Sequence, residues 1–350
     1  VKQRALDMGA IACHVADLRE EYADTILTKA IAANALYENK YPLLSALSRP
    51  VICKHLVQYA HEYGAKYIAH GGTGKGNDQV RFETCIAMLD PSITILGPVR
   101  EWELKTRPQE MEWAAAHGIP VPTTVASPYS IDDNLFGRAI ECGVLENPWN
   151  EPPKDIYTLT VDPEDAPDVP TYIEVSFATG KPVAIDGEAM GMKQIIETLA
   201  KIAGANGYGR LDMIENRLVG VKSHEVYACP GALAVINAHK GLEELCLERE
   251  LAHYKLGLEQ QWATSVYNGL WYSPLKEAID AFMDYTQQFV TGVVRLKFYK
   301  GTCMVVGRKS PFSLYSEALA TYDEGDTFNH QAAAGFIELH GLTARTWAAN

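Results

Sequence analysis

A glycine-rich stretch at residues 70–83 sets the local fold more tightly than any other part of the chain. It follows an apolar segment at 65–69, which predicts a buried strand, and it leads into residues 80–89, which predict a helix. Its four glycines allow positive φ values and close approach of a ligand, and the first turn of the helix offers free N–H groups to an anion. The stretch therefore predicts a strand, a turn and a helix start that bind a negatively charged group.

The polar side chains of this stretch lie within nine residues: Thr73, Lys75, Asn77, Asp78 and Arg81. They do not form a Walker A loop, because Gly-Asn follows Lys75 where a Ser or Thr should bind Mg²⁺. Asn77 and Arg81 share a helix face, and the group as a whole suits a zwitterion: Asp78 or Glu83 would bind an ammonium, and Lys75 or Arg81 would bind carboxylates. In the alternative interpretation Asn77 or Asp78 only caps the helix and Arg81 is solvated.

The composition restricts the possible partners. The 350 residues suffice for about two domains. A formal charge of −13 without a long basic run argues against a nucleic-acid surface. Seven scattered cysteines without a CxxC pair are typical of a reducing compartment and argue against a structural metal. Because we find neither a membrane-spanning apolar run nor a secretory signal, we predict a cytoplasmic protein without a membrane partner.

Strands and helices alternate in the first third of the chain. A helix with Pro50 near its first turn precedes the glycine-rich stretch, and a strand at 93–99 and a helix at 108–117 follow it. This alternation predicts a parallel sheet that binds ligands beyond the carboxyl ends of its strands. The first residues predict a helix ending at Gly9 and a strand at 10–15, which is the middle of an α/β unit.

The rest of the chain predicts a second, α+β domain and a C-terminal segment. Prolines within 119–122 predict a boundary, which gives domains at 1–119 and 120–312 and a segment at 313–350. The predicted elements are a short helix at 136–142, a hairpin at 172–177 and 182–186, helices at 192–204, 232–268 (one or two) and 275–289, and strands at 292–299 and 302–307. The C-terminal segment is more apolar than a free tail should be.

Three polar residues outside the glycine-rich stretch allow both a structural and a binding interpretation. Glu215 stands beside apolar strand residues, where a carboxylate is costly to bury without a partner. It could form an internal salt bridge with Arg210 or Arg217, or it could bind a ligand. Ser130 could cap the short helix that follows it, and Tyr41 could simply pack under a loop.

Residues 70–83 resemble the signature of the argininosuccinate synthase family, whose members use ATP to join citrulline to aspartate. Four further motifs in the family's order extend the resemblance over nearly the whole chain: SPYSIDDN at 127–134, GRLDMIENR at 209–217, YNGLWYSP at 267–274 and SLY at 313–315. The resemblance implies a parallel-sheet nucleotide-binding domain of the N-type ATP pyrophosphatase kind and an α+β synthetase domain. It also implies a C-terminal arm that reaches across a homotetramer, for which the alternative is a helix folded back on its own subunit.

The resemblance also implies a reaction and a set of binding residues. The ureido oxygen of citrulline attacks the α-phosphate of ATP, and the amine of aspartate then displaces AMP from the citrullyl adenylate. Such chemistry needs positioning and charge neutralisation, and no side-chain nucleophile. The implied residues are Thr73, Asn77 and Asp78 for aspartate, Tyr41, Asn77, Arg81, Ser130, Glu215 and Tyr227 for citrulline, and Gly71 for ATP. Mg²⁺ would be held mainly by the phosphates of ATP, without protein ligands.

The chain departs from the family in a few places. Ala139 stands where a citrulline-binding serine is usual, His224 where arginine is usual, and Ala228 where glutamate is usual. The family opens with a strand and a Ser-Gly-Gly-x-Asp-Thr-Ser loop for the ATP phosphates, and we expect this segment to be missing here. Two alternatives to this function remain: another ligase or amidotransferase of the ATP pyrophosphatase type, or a non-catalytic chain, which would be an inactive fragment or a tetrameric binding scaffold.

Overall fold

The computed structural model describes residues 1–104, 106–119 and 129–350. These residues form two compact units, 1–312 and 313–350. The boundary predicted after residue 119 adjoins positions 120–128, which lie outside the described residues, so it stays a prediction. The first two residues of the motif at 127–134 also lie outside the described residues.

The first part of the chain is mostly helical around one parallel strand pair. Its elements are α1 (Lys2–Asp7), α2 (Arg19–Glu21), a π-helical segment (Tyr22–Leu27), α3 (Thr28–Ala32), α4 (Leu44–Glu62), β1 (Tyr67–Ala69), α5 (Asn77–Leu89), β2 (Thr94–Leu96), α6 (Pro98–Glu101) and α7 (Arg107–Ala116). Strand β1 pairs in parallel with β2, and Ile68 lies opposite Ile95. The glycine-rich loop follows the carboxyl end of β1, where α/β folds bind their ligands.

Two predictions for this part of the chain are wrong. Residues 10–15 form no strand, and Ile11 is 93% exposed. Apolar residues form a strand only where a neighbouring strand completes the hydrogen-bond ladder, and no strand among the described residues pairs with residues 10–15. Pro50 lies inside α4 rather than near its first turn, because the helix already begins at Leu44. Nine residues of α4 are buried, and this packing outweighs the backbone hydrogen bond that proline cannot donate.

The second part of the chain contains two antiparallel sheets. Its elements are β3 (Ser130–Asn134), β4 (Gly137–Glu141), 3-10 turns at Gly143–Glu146 and Lys154–Ile156, β5 (Thr171–Ala178), β6 (Lys181–Ile185), β7 (Glu188–Ala189), α8 (Met192–Ala205), β8 (Arg210–Asn216), β9 (Lys222–Ala228), α9 (Pro230–Cys246), α10 (Arg249–Tyr267), α11 (Pro274–Gln287), β10 (Gly292–Tyr299) and β11 (Thr302–Lys309). One sheet has the strand order β3-β4-β9-β8, and the other has β11-β10-β5-β6-β7. The predicted hairpin, the three helical regions from α8 to α11 and the last two strands are confirmed.

The short helix predicted at 136–142 is wrong, because these residues form strand β4 between β3 and β9. A short apolar run does not distinguish a helix from a strand, and here long-range pairing decides. At Gly137 the backbone takes φ +148°, and an added Cβ would lie 2.6 Å from the carbonyl oxygen of Ala228. Glycine at this position lets β4 approach β9 closely. Since Ser130 begins a strand and no helix follows it, Ser130 does not cap one.

A continuous hydrophobic cluster connects α3 and α4 with the sheets and with helices α8 to α11. It holds the four-stranded sheet beside the start of α5. Met213 and Glu215 on β8 are buried, whereas Asp212 and Ile214, which alternate with them, are exposed. Because side chains alternate along a strand, the fold buries Glu215 on the same face as an apolar core residue.

The residue after the C-cap of α10, Gly269, is packed against α5. Its φ is +76°, and a Cβ added to it would lie 2.8 Å from Cα of Arg81. Helix ends often use glycine in this left-handed conformation, and any larger residue here would push directly on the backbone of α5.

We expect Gly269→Ala to lower the free energy of unfolding by about 2 to 4 kcal/mol through backbone strain and overpacking. Gly257→Ala is the matched control on the same helix, since nothing lies within 4 Å of its added Cβ. That change should raise the free energy of unfolding by about 0.5 to 1 kcal/mol, because alanine favours a helix interior. Urea unfolding of both variants measures the difference, and equal effects of the two substitutions would contradict the packing of Gly269 on Arg81.

The unit at 313–350 contains three helices, α12 (Glu317–Ala320), α13 (His330–His340) and α14 (Leu342–Ala349). None of their residues is buried. The large apolar side chains of α13 and α14 that are more than half exposed are Phe336, Ile337, Leu339, Leu342 and Trp347. Taken by itself, this unit has no hydrophobic core of its own. Among the described residues, no helix combines the length and the apolar character needed to cross a membrane.

Candidate functional site

A polar cavity of about 340 Å³ opens beside the start of α5. Its walls come from the glycine-rich loop, α4, α5 and the four strands β3, β4, β8 and β9. The lining residues are Tyr41, Ser45, Arg49, Gly71, Gly72, Thr73, Gly76, Asn77, Asp78, Arg81, Ser130, Asp132, Ala139, Glu141, Glu215, Arg217, Glu225 and Tyr227. All nine residues predicted to bind aspartate, citrulline or ATP are among them.

The start of α5 is not capped in the way the alternative interpretation predicted. Gly76 occupies the N-cap position, and no side chain caps it. The Asn77 amide instead donates to the Tyr267 hydroxyl (2.8 Å) and accepts from the backbone N–H of Leu218 (2.9 Å). Arg81 is 4% exposed and therefore is not a solvated surface residue. The first turn of the helix thus directs its polar side chains towards other elements of the site.

Two arginines flank Asp78. One Nη atom of Arg49 lies 2.6 Å from Asp78 and 2.6 Å from Asp132, and Arg81 lies 3.1 Å from Asp78. Burial by itself would raise the pKa of Asp78, but the two guanidinium groups outweigh it and hold the pKa below its ordinary value. Asp78 is therefore ionised at neutral pH. The ion pairs also connect α4 and α5 to β3.

Each of these two arginines has a hydrogen-bond donor to spare. Within the described residues, Arg49 Nε and Arg81 Nη2 are buried and have no hydrogen-bond partner. A buried N–H without an acceptor costs free energy, which an anionic ligand would recover. Guanidinium groups bind carboxylates and phosphates particularly well. This part of the cavity therefore suits the carboxylate of an amino acid or a phosphate.

Glu215 is held by hydroxyl and amide donors. The Tyr227 hydroxyl donates to Oε2 of Glu215 (2.5 Å), the Tyr267 hydroxyl donates to Oε1, and Asn77 Nδ2 lies 3.5 Å from Oε1. The salt bridge that the sequence offered as an alternative is not formed. Arg210 pairs with Asp162, and Arg217 pairs with other glutamates. Glu215 can therefore offer its negative charge to a cationic or N–H-rich ligand.

A second acidic group lies on β4 and β9. Arg217 donates to both Glu141 and Glu225, the latter at 2.6 Å, and its Nη1 also donates to the backbone carbonyl of Lys75 at 3.3 Å. Burial and the nearby Glu141 carboxylate raise the pKa of Glu225 to about 7, although Arg217 opposes the shift. The cavity thus contains a carboxyl group that exchanges its proton near neutral pH. Altogether five carboxylates and three guanidinium groups line the cavity, which favours zwitterionic ligands.

Tyr41 and Ser130 complete the walls. The Tyr41 ring stacks on Tyr227 with 4.3 Å between ring centroids, and its hydroxyl accepts from the backbone N–H of Ser45 at 3.0 Å. Burial raises the pKa of Tyr41 above its ordinary range, so the phenol stays neutral. Tyr41 is packed, as the structural interpretation predicted, and it also lines the cavity. Ser130 is exposed at the first position of β3.

Sequence reasoning proposed two residues that lie elsewhere and overlooked others. Lys75 is exposed, and Glu83 pairs with His70 (3.0 Å) and Arg100 (2.6 Å), so neither lines the cavity. The overlooked residues include Ser45 and Arg49 on α4. Their spacing of four residues places them on one helix face, but α4 carries several other polar residues, so the sequence alone did not single them out.

The three departures from the family pattern have different surroundings. Ala139 lines the cavity and pairs with Tyr227 across the sheet, so a methyl group stands where the family places a hydroxyl. His224 contacts the Leu145 carbonyl oxygen (2.7 Å) and Asp212 (3.0 Å), and Ala228 is fully buried. Neither His224 nor Ala228 lines the cavity. Of the three departures from the family pattern, only Ala139 alters the wall of the cavity.

The described residues contain no group of three or more His, Cys, Asp or Glu side chains arranged to hold a metal ion. A divalent cation that enters with a nucleotide would therefore be held mainly by phosphate oxygens, as is usual for Mg²⁺. The cavity residues fit such a complex through the arginine N–H groups and the open backbone at Gly71, where an added Cβ would meet no atom within 4 Å.

Comparison with known proteins gives one consistent result. A sequence model of the arginosuccinate synthase N-terminal HUP domain matches residues 1–120, and one of the arginosuccinate synthase C-terminal domain matches residues 129–347. An argininosuccinate synthase from Geobacillus thermodenitrificans is 56% identical over 345 residues, which is 99% of this chain and 85% of that protein. Those from Geobacillus kaustophilus and Streptococcus gordonii are 55% and 53% identical, each over 99% of this chain and over 85% and 87% of their own lengths.

Proposed function

The chain belongs to the argininosuccinate synthase family, and we propose that its polar cavity is where citrulline and aspartate are joined at the expense of ATP. The protein is accordingly a ligase of arginine biosynthesis that uses ATP as a substrate. The observation that carries the proposed location is that the nine matched residues, which come from five separate parts of the chain, line a single cavity. The alternative of an inactive fragment or scaffold is not favoured, because the relatives that are 53–56% identical to this chain are named as argininosuccinate synthases.

The reaction takes place in two steps. The ureido oxygen of citrulline forms a bond to the α-phosphorus of ATP, and the bond to pyrophosphate breaks. The amine of aspartate then attacks the ureido carbon of the citrullyl adenylate, a proton leaves the nitrogen, and AMP departs. Both steps require aligned substrates and compensated negative charge, which fixed donors and guanidinium groups supply.

We assign aspartate to the start of α5. Thr73, Asn77 and Asp78 are the matched residues, and Asp78 would bind the ammonium of the substrate. Arg49 would take a carboxylate of aspartate, which is supported by its unpartnered Nε atom beside Asp78. Fixing Asp78 between two arginines keeps it ionised and holds it in one position before the substrate arrives.

We assign citrulline to the face formed by β8, β9 and α5. Its matched residues are Tyr41, Asn77, Arg81, Ser130, Glu215 and Tyr227. The support for this assignment is the hydrogen-bond system around Glu215, which leaves the carboxylate able to accept from a further N–H group. Ala139 offers no hydroxyl here, and losing one neutral hydrogen bond costs only about 0.5 to 1.5 kcal/mol.

ATP with Mg²⁺ would lie against the glycine-rich loop at Gly71, where the backbone is open to a ligand. The remaining assignments are also predictions: a cytoplasmic location, and a homotetramer in which the unit at 313–350 serves as the arm. The exposed apolar side chains of α13 and α14 support the second of these, since they need a partner to be buried.

The experiment that tests the proposed function measures pyrophosphate release from ATP and Mg²⁺ with citrulline and aspartate, omitting each amino acid in turn. We expect turnover to require both amino acids, and we expect argininosuccinate to form in equal amount to pyrophosphate. Pyrophosphate release that does not depend on citrulline, or none at all from folded protein, would contradict the proposal.

A further inference from the structure

Tyr267, at the end of α10, contacts three of the proposed citrulline-binding residues although it does not line the cavity. Its hydroxyl donates to Glu215 Oε1 and accepts from Asn77 Nδ2 at 2.8 Å. Its backbone carbonyl accepts from Arg81 Nε at 2.9 Å, and the Arg81 guanidinium lies 4.7 Å from the centroid of its ring. Tyr267 is 1% exposed, so these contacts are shielded from water.

The position of Tyr267 is itself fixed from both sides. Its ring stacks on Tyr37 with 3.7 Å between centroids, and the Tyr37 hydroxyl donates to the backbone carbonyl of Asn216, next to Glu215, at 2.9 Å. On the other side, Gly269 packs directly on the backbone of Arg81. A residue held this firmly can fix the orientation of the groups that it contacts.

The hydroxyl of Tyr267 hydrogen-bonds two of these side chains, Asn77 and Glu215, at once. Asn77 has Oδ1 occupied by the Leu218 N–H, so its Nδ2 must face Tyr267 and Glu215. Glu215 receives one phenol on each carboxylate oxygen, Tyr267 on Oε1 and Tyr227 on Oε2. Without the Tyr267 hydroxyl, Oε1 would keep only the Asn77 amide at 3.5 Å.

We propose that Tyr267 is a positioning residue for citrulline, which acts by orienting Glu215 and Asn77 through its hydroxyl. This inference rests on the proposed function and adds a residue to it that touches no substrate. In this proposal the Tyr267 hydroxyl sets the binding geometry, whereas the Tyr267 ring and backbone only pack the surroundings of the site. A purely structural tyrosine would affect all substrates alike.

The test is Tyr267→Phe, which removes the hydroxyl and keeps the ring stacked on Tyr37. We expect the apparent KM for citrulline to rise about tenfold, since a hydrogen bond to a charged group is lost, while the KM for ATP changes less than about twofold. The aspartate KM should rise less than that for citrulline, because Asp78 is held by Arg49 and Arg81. Pyrophosphate release gives all three constants, and the melting temperature is recorded in parallel.

Tyr272→Phe is the matched control. Tyr272 lies in the same segment, and its hydroxyl donates to the backbone carbonyl of Pro50 at 2.9 Å, away from the cavity. Its removal should lower the melting temperature without a selective change in any KM. A double variant with Glu215→Gln should be less than additive for the citrulline KM, because both substitutions then act on the same interaction.

An unchanged citrulline KM in Tyr267→Phe, or a change equal for all three substrates, would overturn the inference while leaving the proposed function intact. A wild-type chain without citrulline-dependent pyrophosphate release would overturn the proposed function and this inference with it. The wild-type assay therefore separates the two failures.

Discussion

Replacing Asp78 with alanine is expected to raise the KM for aspartate about 100-fold or more, since a charged contact to the substrate ammonium contributes about 3 kcal/mol. The substitution also leaves Arg49 and Arg81 without their shared carboxylate. The Arg49 guanidinium would then move or bind another anion, so the site for the aspartate carboxylate would be lost as well, whereas Arg81 is still held through Nε by the Tyr267 carbonyl. The KM for citrulline should rise much less.

Two further variants separate charge from packing at Asp78. Asp78→Asn keeps the size of the side chain and removes its charge, so it should reproduce most of the rise in the aspartate KM. Glu83→Gln changes a carboxylate in the same glycine-rich motif that pairs with His70 and Arg100 outside the cavity, and it should leave both KM values unchanged. An unaltered aspartate KM in Asp78→Ala would refute the assignment of Asp78.

The second large effect concerns Glu215. Glu215→Gln is expected to raise the KM for citrulline about 30- to 100-fold. A neutral amide replaces the negative charge, and the amide NH₂ group would lie against a tyrosine hydroxyl that also donates. The contacts that produce this conflict are those of Tyr227 and Tyr267. The aspartate KM should change little, and steady-state pyrophosphate release again measures both constants.

Asp212→Asn is the control for Glu215, because Asp212 lies three residues earlier on β8 with its side chain on the exposed face. It also loses a negative charge, yet we expect no change in either KM. If both variants raised the citrulline KM equally, the effect would come from the net charge of the strand. The assignment of Glu215 as a citrulline contact would then be wrong.

Local sequence patterns predicted most of the secondary structure where periodicity was strong. The amphipathic helix α8 and the pairs β5–β6 and β10–β11 lie where the alternation of apolar residues indicated. Patterns failed where the outcome depended on a distant partner. Residues 10–15 lack a neighbouring strand, and residues 137–141 became a strand only because β3 and β9 flank them.

For the candidate site too, some residues were found from the sequence and others only from the structure. The glycine-rich motif identified the start of α5 as a binding element, and the family resemblance supplied nine residues that line one cavity. Arg49 and Tyr267 were not recognised. Their importance comes from contacts across the chain: Tyr267 meets Asn77 from 190 residues away, and Arg49 meets Asp132 from 83 residues away.

The sequence by itself determined the chemistry that is available, because residue types and their local spacing establish which groups can bind anions, ammonium groups and phosphates. It also determined that a helix follows the glycine-rich turn, since glycine freedom and helix periodicity act over only a few residues. The helix begins at Asn77, three residues before the predicted position. Only the tertiary structure decided which of these groups work together. Burial and ion pairing set the ionisation of Asp78 and Glu225, and hydrogen bonds between distant elements set the orientation of Glu215. Both effects depend on distances through space, which the order of residues along the chain does not specify.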